Sequence, residues 1–353
     1  MALPTKRYVA AVCGDGHIRL VAQEVPELVR GGVLVEVHAS LVSPGTEVGS
    51  WRGLAEKQDH PDEKVAPKPF GYSNSGIVLD VGEGVEEFKR GDRVACVGNR
   101  YAMHTDFAVV PHNLCLKLPD SLSFAQGSYA MLAATALHAL RRSIPEFGWN
   151  VAVAGLGIVG QLTSQLFRLN GCYVIGWENI QQRSSIAKIW GIDTVTAVDG
   201  EKEVKSSAEF TAGYGLDAAV IAFGGDATAA VKSLERSMKC SPDGHPMGVI
   251  VFVGGAGLDY RGSLTNIDYR RASRTGPGYH DPTWEFGPSY PPVFMRWTTQ
   301  TNLELCLRLM AEGKLVVDPL TTHTIPLENV EAGISQALDD PDSMLGVVFT
   351  MNE

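Results

Sequence analysis

Three glycines near the middle of the chain have the spacing of a dinucleotide-binding turn. In VAVAGLGIVGQL, Gly155, Gly157 and Gly160 follow an apolar strand and open a helix, which is the context that the GxGxxG motif requires. Gly155 permits the tight turn, Gly157 lets backbone amides approach a pyrophosphate, and Gly160 allows close packing of helix and strand. The N-terminus of the helix adds oriented N–H groups. The motif therefore predicts a bound dinucleotide.

A carboxylate follows at the distance that suits the adenosine ribose. The next apolar strand, YVIGWE, ends at Glu178, about 20 residues beyond the turn. This carboxylate would accept ribose hydrogen bonds and repel a 2′-phosphate, which favours NAD over NADP, although Arg183 could soften the preference. The alternative is a glycine-rich turn of another doubly wound protein. The remaining residues predicted to line the cofactor site are Leu156, Ile158, Val159, Thr135, Phe223, Val253 and Gly254.

Two patterns of apolar residues divide the chain. Up to Asp120, short alternating segments such as VLVEVHAS, GIVLDVG and RVACVG predict a barrel-like β region. From about Ala125, strand-like segments such as VAVAG and VIVFVGG alternate with helical ones. Continuous apolar strands joined by helices predict a parallel sheet covered on both faces. With 353 residues, the chain is long enough for two domains.

Composition excludes several classes of function. The net charge is −10 and the sequence has no long basic block, so we expect no nucleic acid partner. No apolar run has the length of a signal peptide or a membrane span, which predicts a cytoplasmic protein without a membrane partner. The six cysteines form no CxxC pair, so we expect buried thiols rather than a disulfide framework.

Segments along nearly the whole chain resemble the medium-chain dehydrogenase/reductase superfamily. They are SLVSPGTE, GYSNSG, GDRVACVG, HTDFAVVPHNLCLKLPD, the glycine turn and LTTHTIPLENVEAGI. The resemblance implies an α/β protein with a GroES-like β-rich catalytic domain at 1–131 and 296–353, and a Rossmann NAD-binding domain at 132–295. It also implies a substrate cleft between the domains, and we expect the aromatic-rich insert 271–296 to lie there.

The sequence departs from that family at the zinc site. Zinc members carry a cysteine where Pro44 stands, a histidine where Tyr72 stands, and a third ligand near Met131. None of these residues is a usual zinc ligand, so only Glu47 would remain. The four-cysteine structural lobe has no counterpart either. We therefore expect neither a catalytic nor a structural zinc ion.

A narrower likeness concerns the substrate. The segments GNRYAMHTDFAVVPHNL and SRTGPGYHDPTWEFGPSYPPVFMRWTTQTNLEL look like the zinc-free dehydrogenase module of bidomain oxidoreductases. In those proteins the module is fused to a Gfo/Idh/MocA-type sugar oxidoreductase domain. The resemblance implies a sugar or cyclitol substrate, but only through association with the partner domain.

Without a metal, protein groups must take up the hydroxyl proton and stabilise the alkoxide. Zinc members usually carry an aromatic residue where His104 stands, lining the cleft, so His104 is a candidate base; it could instead be a buried histidine that begins a strand. Tyr72 is a candidate donor to the substrate oxygen, or else a filler of the metal's space. Thr46 matches a proton-relaying hydroxyl, or is a turn residue. Glu47 would orient the base or bind a substrate hydroxyl.

The insert supplies candidate substrate-binding residues. Tyr279, Arg296 and Trp297, with His280 beside them, offer flat faces and paired donors to a polar substrate. The alternative is that these aromatic residues pack over a domain seam. Glu285 is expected to be solvated.

The expected function is that of a zinc-independent NAD-dependent dehydrogenase acting on a secondary hydroxyl of a sugar, cyclitol or similar compound. One alternative is an NADPH-dependent quinone or enoyl reductase. Another is a tetrapyrrole side-chain dehydrogenase, because the bacteriochlorophyllide enzyme shares an SxGTE-like segment. A third is a non-catalytic NAD-binding sensor. If VIVFVGG (249–255) is a sheet edge, it could pair two copies, which predicts a homodimer.

Overall fold

The computed structural model describes residues 3–48, 58, 62, 64–258, 265–340 and 342–351. The chain divides into two compact units. The first consists of Met1–Met131 and Pro277–Glu353, and the second of Leu132–Gly276. Among the described helices, none has both the length and the apolar character needed to cross a membrane.

The first unit is rich in β structure. Its described strands are β1 (Lys6–Val12), β2 (Ile18–Glu24), β3 (Gly32–Val42), β4 (Lys68–Pro69), β5 (Ser73–Val81), β6 (Arg93–Val97), β7 (Phe107–Pro111), β8 (Cys115–Lys117) and, late in the chain, β17 (Thr321–Pro326) and β18 (Gly346–Thr350). Its described helices are α1 (Phe124–Gly127), α7 (Pro282–Glu285), α8 (Thr299–Ala311) and α9 (Val330–Asp339).

Strand β3 is the centre of the larger sheet. The strand order is β17-β18-β3-β5-β6-β8, and β7 also pairs with β3. The strand is rich in valine, and Val33, Val35 and Val37 are fully buried. A single π-helical turn, Pro44–Val48, follows β3. Strand and turn together position the buried side chains of Ser40, Ser43 and Glu47.

The second unit is a parallel sheet with helices. Its described strands are β9 (Asn150–Ala154), β10 (Tyr173–Glu178), β11 (Asp193–Thr196), β12 (Ala218–Ile221), β14 (Met247–Val253) and β16 (Asn266–Ala272), with a short pair formed by β13 (Gly225–Asp226) and β15 (Ala256–Gly257). Its described helices are α2 (Ala130–Ser143), which begins in the first unit, α3 (Ile158–Leu169), α4 (Gln181–Ile189), α5 (Lys202–Phe210) and α6 (Thr228–Ser237).

The order of the parallel sheet is β11-β10-β9-β12-β14-β16. The direction of winding therefore reverses between β9 and β12, and the glycine turn follows β9 at this switch point, where doubly wound folds bind ligands. Strand β12 is buried at all four positions, as expected for a strand covered on both faces. The α/β class, with a GroES-like unit and a Rossmann-like unit, is thus the fold that the sequence predicted.

The structure corrects one domain boundary. Residues 277–295 belong to the first unit and not to the nucleotide-binding unit. The reason is local hydrogen bonding: the Asn113 amide donates to the carbonyls of Trp284, at 2.6 Å, and Gly287, at 2.8 Å. The backbone N–H of Asn99 also donates to the hydroxyl of Tyr279, at 2.9 Å.

The expected sheet edge is wrong as well. Strand β14, which contains VIVFV, is not an edge, because it pairs with β12 on one side and with β16 on the other. Strand β16 was not predicted, because its polar residues give no apolar strand pattern. Only its last two residues fall within the predicted insert. Two copies of the chain therefore cannot pair through a free edge of β14, as the sequence had predicted.

Candidate functional site

A fully buried histidine lies at the centre of the polar groups in the first unit. The imidazole of His104 has no exposed surface. Its Nδ1 lies 2.8 Å from the Ser40 hydroxyl, and its Nε2 lies 3.2 Å from Oε1 of Glu47. The rings of Phe70 and Phe349 contact it edge-on, with centroids at 5.1 and 4.9 Å. Both ring nitrogens have partners, which a buried polar group requires.

The π-helical turn after β3 folds the Glu47 carboxylate back onto its own chain. Oε2 accepts the backbone N–H of Ser43 at 2.6 Å, and the backbone N–H of Glu47 donates to the Ser43 carbonyl at 2.8 Å. The residue is only 6% exposed. A carboxylate so far from water needs partners, and here one oxygen contacts a backbone amide and the other contacts His104.

Tyr72, which directly precedes β5, joins the same cluster. The preceding Gly71 has φ of 114°, and a Cβ there would lie 2.4 Å from the backbone nitrogen of His104, so only glycine permits this approach. Burial raises the pKa of the Tyr72 phenol well above its usual value, and the negative charge of Glu47 adds to the effect. Hydrogen bonds with the Ser43 and Thr46 side chains lower the pKa of the phenol, but their effect is smaller than that of burial. The phenol is therefore protonated at neutral pH and can donate.

We call these residues the Tyr72 cluster: Ser40, Ser43, Thr46, Glu47, Tyr72 and His104. Hydrogen bonds and close charges connect them from the exposed Thr46 to the buried His104. The arrangement can donate a hydrogen bond through the phenol and store a proton between a carboxylate and an imidazole.

The structure brings together four of the predicted catalytic and substrate residues: Thr46, Glu47, Tyr72 and His104. His104 has no exposed surface, so the structure favours the alternative of a buried histidine over a base that contacts the substrate.

Two hydroxyl residues of the cluster, Ser40 and Ser43, were missed by the sequence analysis. Serines before a proline–glycine turn are ordinary turn residues. Only their spacing around the end of β3 could have indicated a shared buried group.

The insert residues separate into two places. Tyr279 is close enough to Tyr72 to raise the pKa of that phenol. The guanidinium carbon of Arg296 lies 4.5 Å from the centroid of the Trp297 ring. Both residues line a different cavity, between β8 and α8, and none of the residues lining it belongs to the Tyr72 cluster. The expected placement of Arg296 and Trp297 beside the reacting group is therefore wrong. Glu285 is also not solvated, because it is 2% exposed.

In the second unit, the glycine turn has the geometry that the motif predicts. Gly155 has φ of 87°, a conformation that favours glycine. A Cβ on Gly160 would lie 1.9 Å from the carbonyl oxygen of Gly155, so a side chain there would push α3 away from the strand. Gly157 caps α3, and a Cβ there would meet nothing within 4 Å. The space before this helix N-terminus is open to a phosphate group.

The carboxylate of Glu178 is anchored at this turn. Its Oε2 accepts the backbone N–H of Leu156 at 2.8 Å, and its Oε1 accepts that of Ile180 at 2.9 Å. A guanidinium nitrogen of Arg183 lies 4.0 Å from Oε2. Each oxygen keeps a second lone pair, so the carboxylate can still accept a hydroxyl group while its position is fixed.

The other predicted cofactor residues follow the carboxyl ends of neighbouring strands or lie on helices. The Phe223 ring, after β12, is 3.1 Å from where a Gly155 Cβ would lie. Val253 ends β14, and Gly254 has open space in front of it. Thr135, on α2, is half-buried. In α3 the Ile158 side chain is buried, whereas that of Val159 is half-buried.

Gln161 was missed by the sequence analysis. Its buried amide donates to the Leu156 carbonyl at 3.1 Å and to the Arg183 carbonyl at 2.7 Å, and so links the turn to α4. A glutamine inside a helix gives no signal of this role in the sequence.

Comparisons with known proteins agree with this architecture. Residues 29–136 match the alcohol dehydrogenase GroES-like domain. Sorbitol dehydrogenase from Mus musculus is 27% identical over 94% of this chain and 94% of its own length. (R,R)-Butanediol dehydrogenase from Bacillus subtilis (strain 168) is 30% identical over 57% of this chain and 66% of its own. The matches support the medium-chain dehydrogenase/reductase superfamily.

Solved structures of that superfamily share the fold over the whole chain. Alcohol dehydrogenase from Thermus sp. ATN1 has a TM-score of 0.76 at 20% identity and covers 98% of this chain and 100% of its own. The Bacillus subtilis 2R,3R-butanediol dehydrogenase structure has a TM-score of 0.73 at 22% identity and covers 98% and 100%. At this identity the likeness shows the fold alone.

The three superfamily zinc positions carry the wrong donors in this chain. Pro44 has no side-chain donor, Tyr72 offers a phenol held protonated, and Met131 is a buried thioether. Within the described ranges, no group of three or more His, Cys, Asp or Glu residues could hold a metal ion. Pro44, Tyr72 and Met131 therefore do not supply the ligands of a tetrahedral zinc site, whereas the glycine turn and Glu178 do fit a dinucleotide.

Proposed function

We propose that this chain is a zinc-independent NAD-dependent dehydrogenase that acts on a secondary hydroxyl of a sugar, cyclitol or similarly polar compound. The relatives support an oxidoreductase acting on CH–OH groups, with polyols and alcohols as the substrate class. The observation that carries the proposal is the Tyr72 cluster, which brings together a protonated phenol, a buried carboxylate and a histidine.

Oxidation of an alcohol needs a group that stabilises the negative charge developing on the substrate oxygen. Tyr72 supplies it, because its raised pKa keeps a proton available for a hydrogen bond to a carbonyl or alkoxide. The same shift prevents Tyr72 from being the base.

A second group must accept the hydroxyl proton when the alcohol is oxidised. The Glu47 carboxylate is the base of this proposal, and the exposed Thr46 hydroxyl relays the proton towards it. His104, bonded to Glu47 and to Ser40, holds the carboxylate in place and shares the proton. NAD⁺, which the glycine turn and Glu178 would hold, would supply the hydride acceptor.

The cofactor preference follows from Glu178. Because two backbone amides hold its carboxylate at the glycine turn, a 2′-phosphate at the ribose position would meet a fixed negative charge. We therefore propose NAD rather than NADP, with Arg183 too close to Glu178 to act as an independent phosphate site.

A substrate panel tests the proposal. Purified protein is mixed with NAD⁺ and with sorbitol, butane-2,3-diol or myo-inositol, and the absorbance of NADH is followed. We expect turnover of at least one polyol and weaker activity with NADP⁺. Reduction of enones by NADPH, with no polyol oxidised, would instead indicate an enoyl or quinone reductase.

A further inference from the structure

The first unit contains a cavity outside the Tyr72 cluster. It has a volume of about 310 Å³ and is lined by Asn99, Arg100, Tyr101, His280, Pro282 and Glu285. This volume is at the lower end of the range for small-molecule sites. The walls come from the loop after β6 and from the segment that enters α7, so two distant parts of the chain build it.

Two of the lining residues hold an unfavourable backbone conformation. Arg100 has φ of 75° and His280 has φ of 68°, in the left-handed region that residues with side chains rarely adopt. Such strain persists only where the surroundings enforce it, and it concentrates at binding sites. Here the two strained residues lie on the two different chain segments that line the cavity, and both side chains carry nitrogen donors.

The acidic group of the cavity is already occupied. Glu285 accepts the backbone N–H of His280 at 2.7 Å and also bonds the Tyr101 side chain, and its burial raises its pKa. Arg100, by contrast, forms no ion pair with any carboxylate in the described part of the chain. Of the two charged side chains in this lining, the Arg100 guanidinium is therefore the one left to pair with a ligand.

The cavity adjoins the proposed reacting group through one tyrosine. The hydroxyl of Tyr279 accepts the N–H of Asn99, which lines the cavity, and its ring lies 4.4 Å from the ring of His280. On its other side, Tyr279 is near enough to Tyr72 to influence the pKa of that phenol. Tyr279 therefore links residues that line the cavity to the proposed reacting group.

We propose that Arg100 and His280 bind a negatively charged group of the substrate, a phosphate or a carboxylate, in this cavity. The inference rests on the proposed function, because it gives that same dehydrogenase a preference for anionic over neutral polyols. Guanidinium and imidazole donors in fixed positions suit either anion.

Three probes that differ in charge test this site in the full chain. Sorbitol is neutral, sorbitol 6-phosphate carries a phosphate, and gluconate carries a carboxylate. Calorimetry with NAD⁺ present measures the binding of each, and NADH formation measures turnover. We expect at least one anionic probe to bind about tenfold or more tightly than sorbitol, as a charge-assisted contact implies. The difference between the two anions identifies which group the site prefers.

Substitutions test whether the preference for anionic probes arises in this cavity. Arg100→Gln should abolish it, Arg100→Lys should retain part of it, and Arg90→Gln, an exposed arginine outside the cavity, should leave it unchanged. Because the Arg100 side chain is exposed, we expect the melting temperature to stay the same, and His280→Gln provides a second variant.

The outcomes separate the two proposals. Equal binding of all three probes, or an anion preference that survives Arg100→Gln, would overturn the anion site. If polyols are turned over without a charge preference, the dehydrogenase stands and the anion site falls. If no probe is oxidised but anion binding disappears in Arg100→Gln, the anion site stands and the proposed reaction falls.

Discussion

Glu47 and His104 form a buried carboxylate–imidazole pair, with 3.2 Å between Oε1 and Nε2. The histidine has no exposed surface and the carboxylate has almost none. A pair of this kind is costly to bury unless its other atoms are also bonded, and here Ser40 and the Ser43 amide complete it. The proposal gives this pair the role of proton acceptor, reached through the turn that carries Thr46.

Replacing the phenol of Tyr72 tests its role as donor. In Tyr72→Phe the ring still fills the site, but no hydroxyl remains to bond the substrate oxygen. We expect kcat/KM for polyol oxidation to fall about 100-fold or more, as for the loss of one donor to a developing oxyanion. NAD⁺ affinity, measured by calorimetry, serves as the control and should not change. A kcat/KM within twofold of the wild-type value would show that Tyr72 only fills space.

Replacing the carboxylate of Glu47 tests the proton acceptor. Glu47→Gln keeps the shape but lacks a basic oxygen, so we expect kcat to fall about 100-fold or more. Stability should fall by about 1–3 kcal/mol, because the hydrogen bonds of a buried group are altered. Steady-state rates and urea unfolding measure the two effects.

If Glu47→Gln kept kcat within twofold of the wild-type value, the base would have to be another group.

Two glycine substitutions separate packing from cofactor binding. Gly160→Ala places a Cβ 1.9 Å from a backbone oxygen, so we expect destabilisation of about 2 kcal/mol or more together with loss of NAD⁺ binding. Gly157→Ala meets no protein atom within 4 Å and should fold normally. It should nevertheless weaken NAD⁺ binding, because its methyl group occupies the space for the pyrophosphate. Melting temperatures and calorimetric titrations give the two readouts, and unchanged NAD⁺ affinity in Gly157→Ala would contradict the assigned turn.

The pH dependence of stability should reflect His138 on α2. Burial lowers its pKa to about 4, with further contributions from the positive charges of Arg142 and Arg141. The unfolded chain then takes up a proton at a higher pH than the folded one, so the free energy of unfolding should fall as the pH drops from about 6.5 to about 4. Urea unfolding at several pH values measures the slope. In His138→Gln this part of the slope should disappear; an unchanged slope would assign the loss to other groups.

The sequence predicted the parts of this molecule that depend on local pattern. The glycine turn, the acidic end of β10 and the two classes of unit follow from spacing and apolar periodicity, and the structure shows the same elements. Thr46 and Glu47 were predicted from the segment SLVSPGTE, through its resemblance to the dehydrogenase superfamily.

What the sequence did not predict depends on contacts between distant segments. A buried histidine was one of the two interpretations of His104, but nothing near residue 104 predicted its bond to Ser40, which lies on β3. Strand β16 was missed because its side chains are largely polar. Arg296 and Trp297 were misplaced because an aromatic-rich segment does not reveal which face of the unit it covers.

The most direct test of the account is the rate of NAD⁺ reduction by a polyol before and after dialysis against a strong zinc chelator. The account predicts the same rate in both samples, because Tyr72 and Glu47 perform the work that a metal would otherwise perform. A rate that falls to background after dialysis and returns when zinc is added would contradict it.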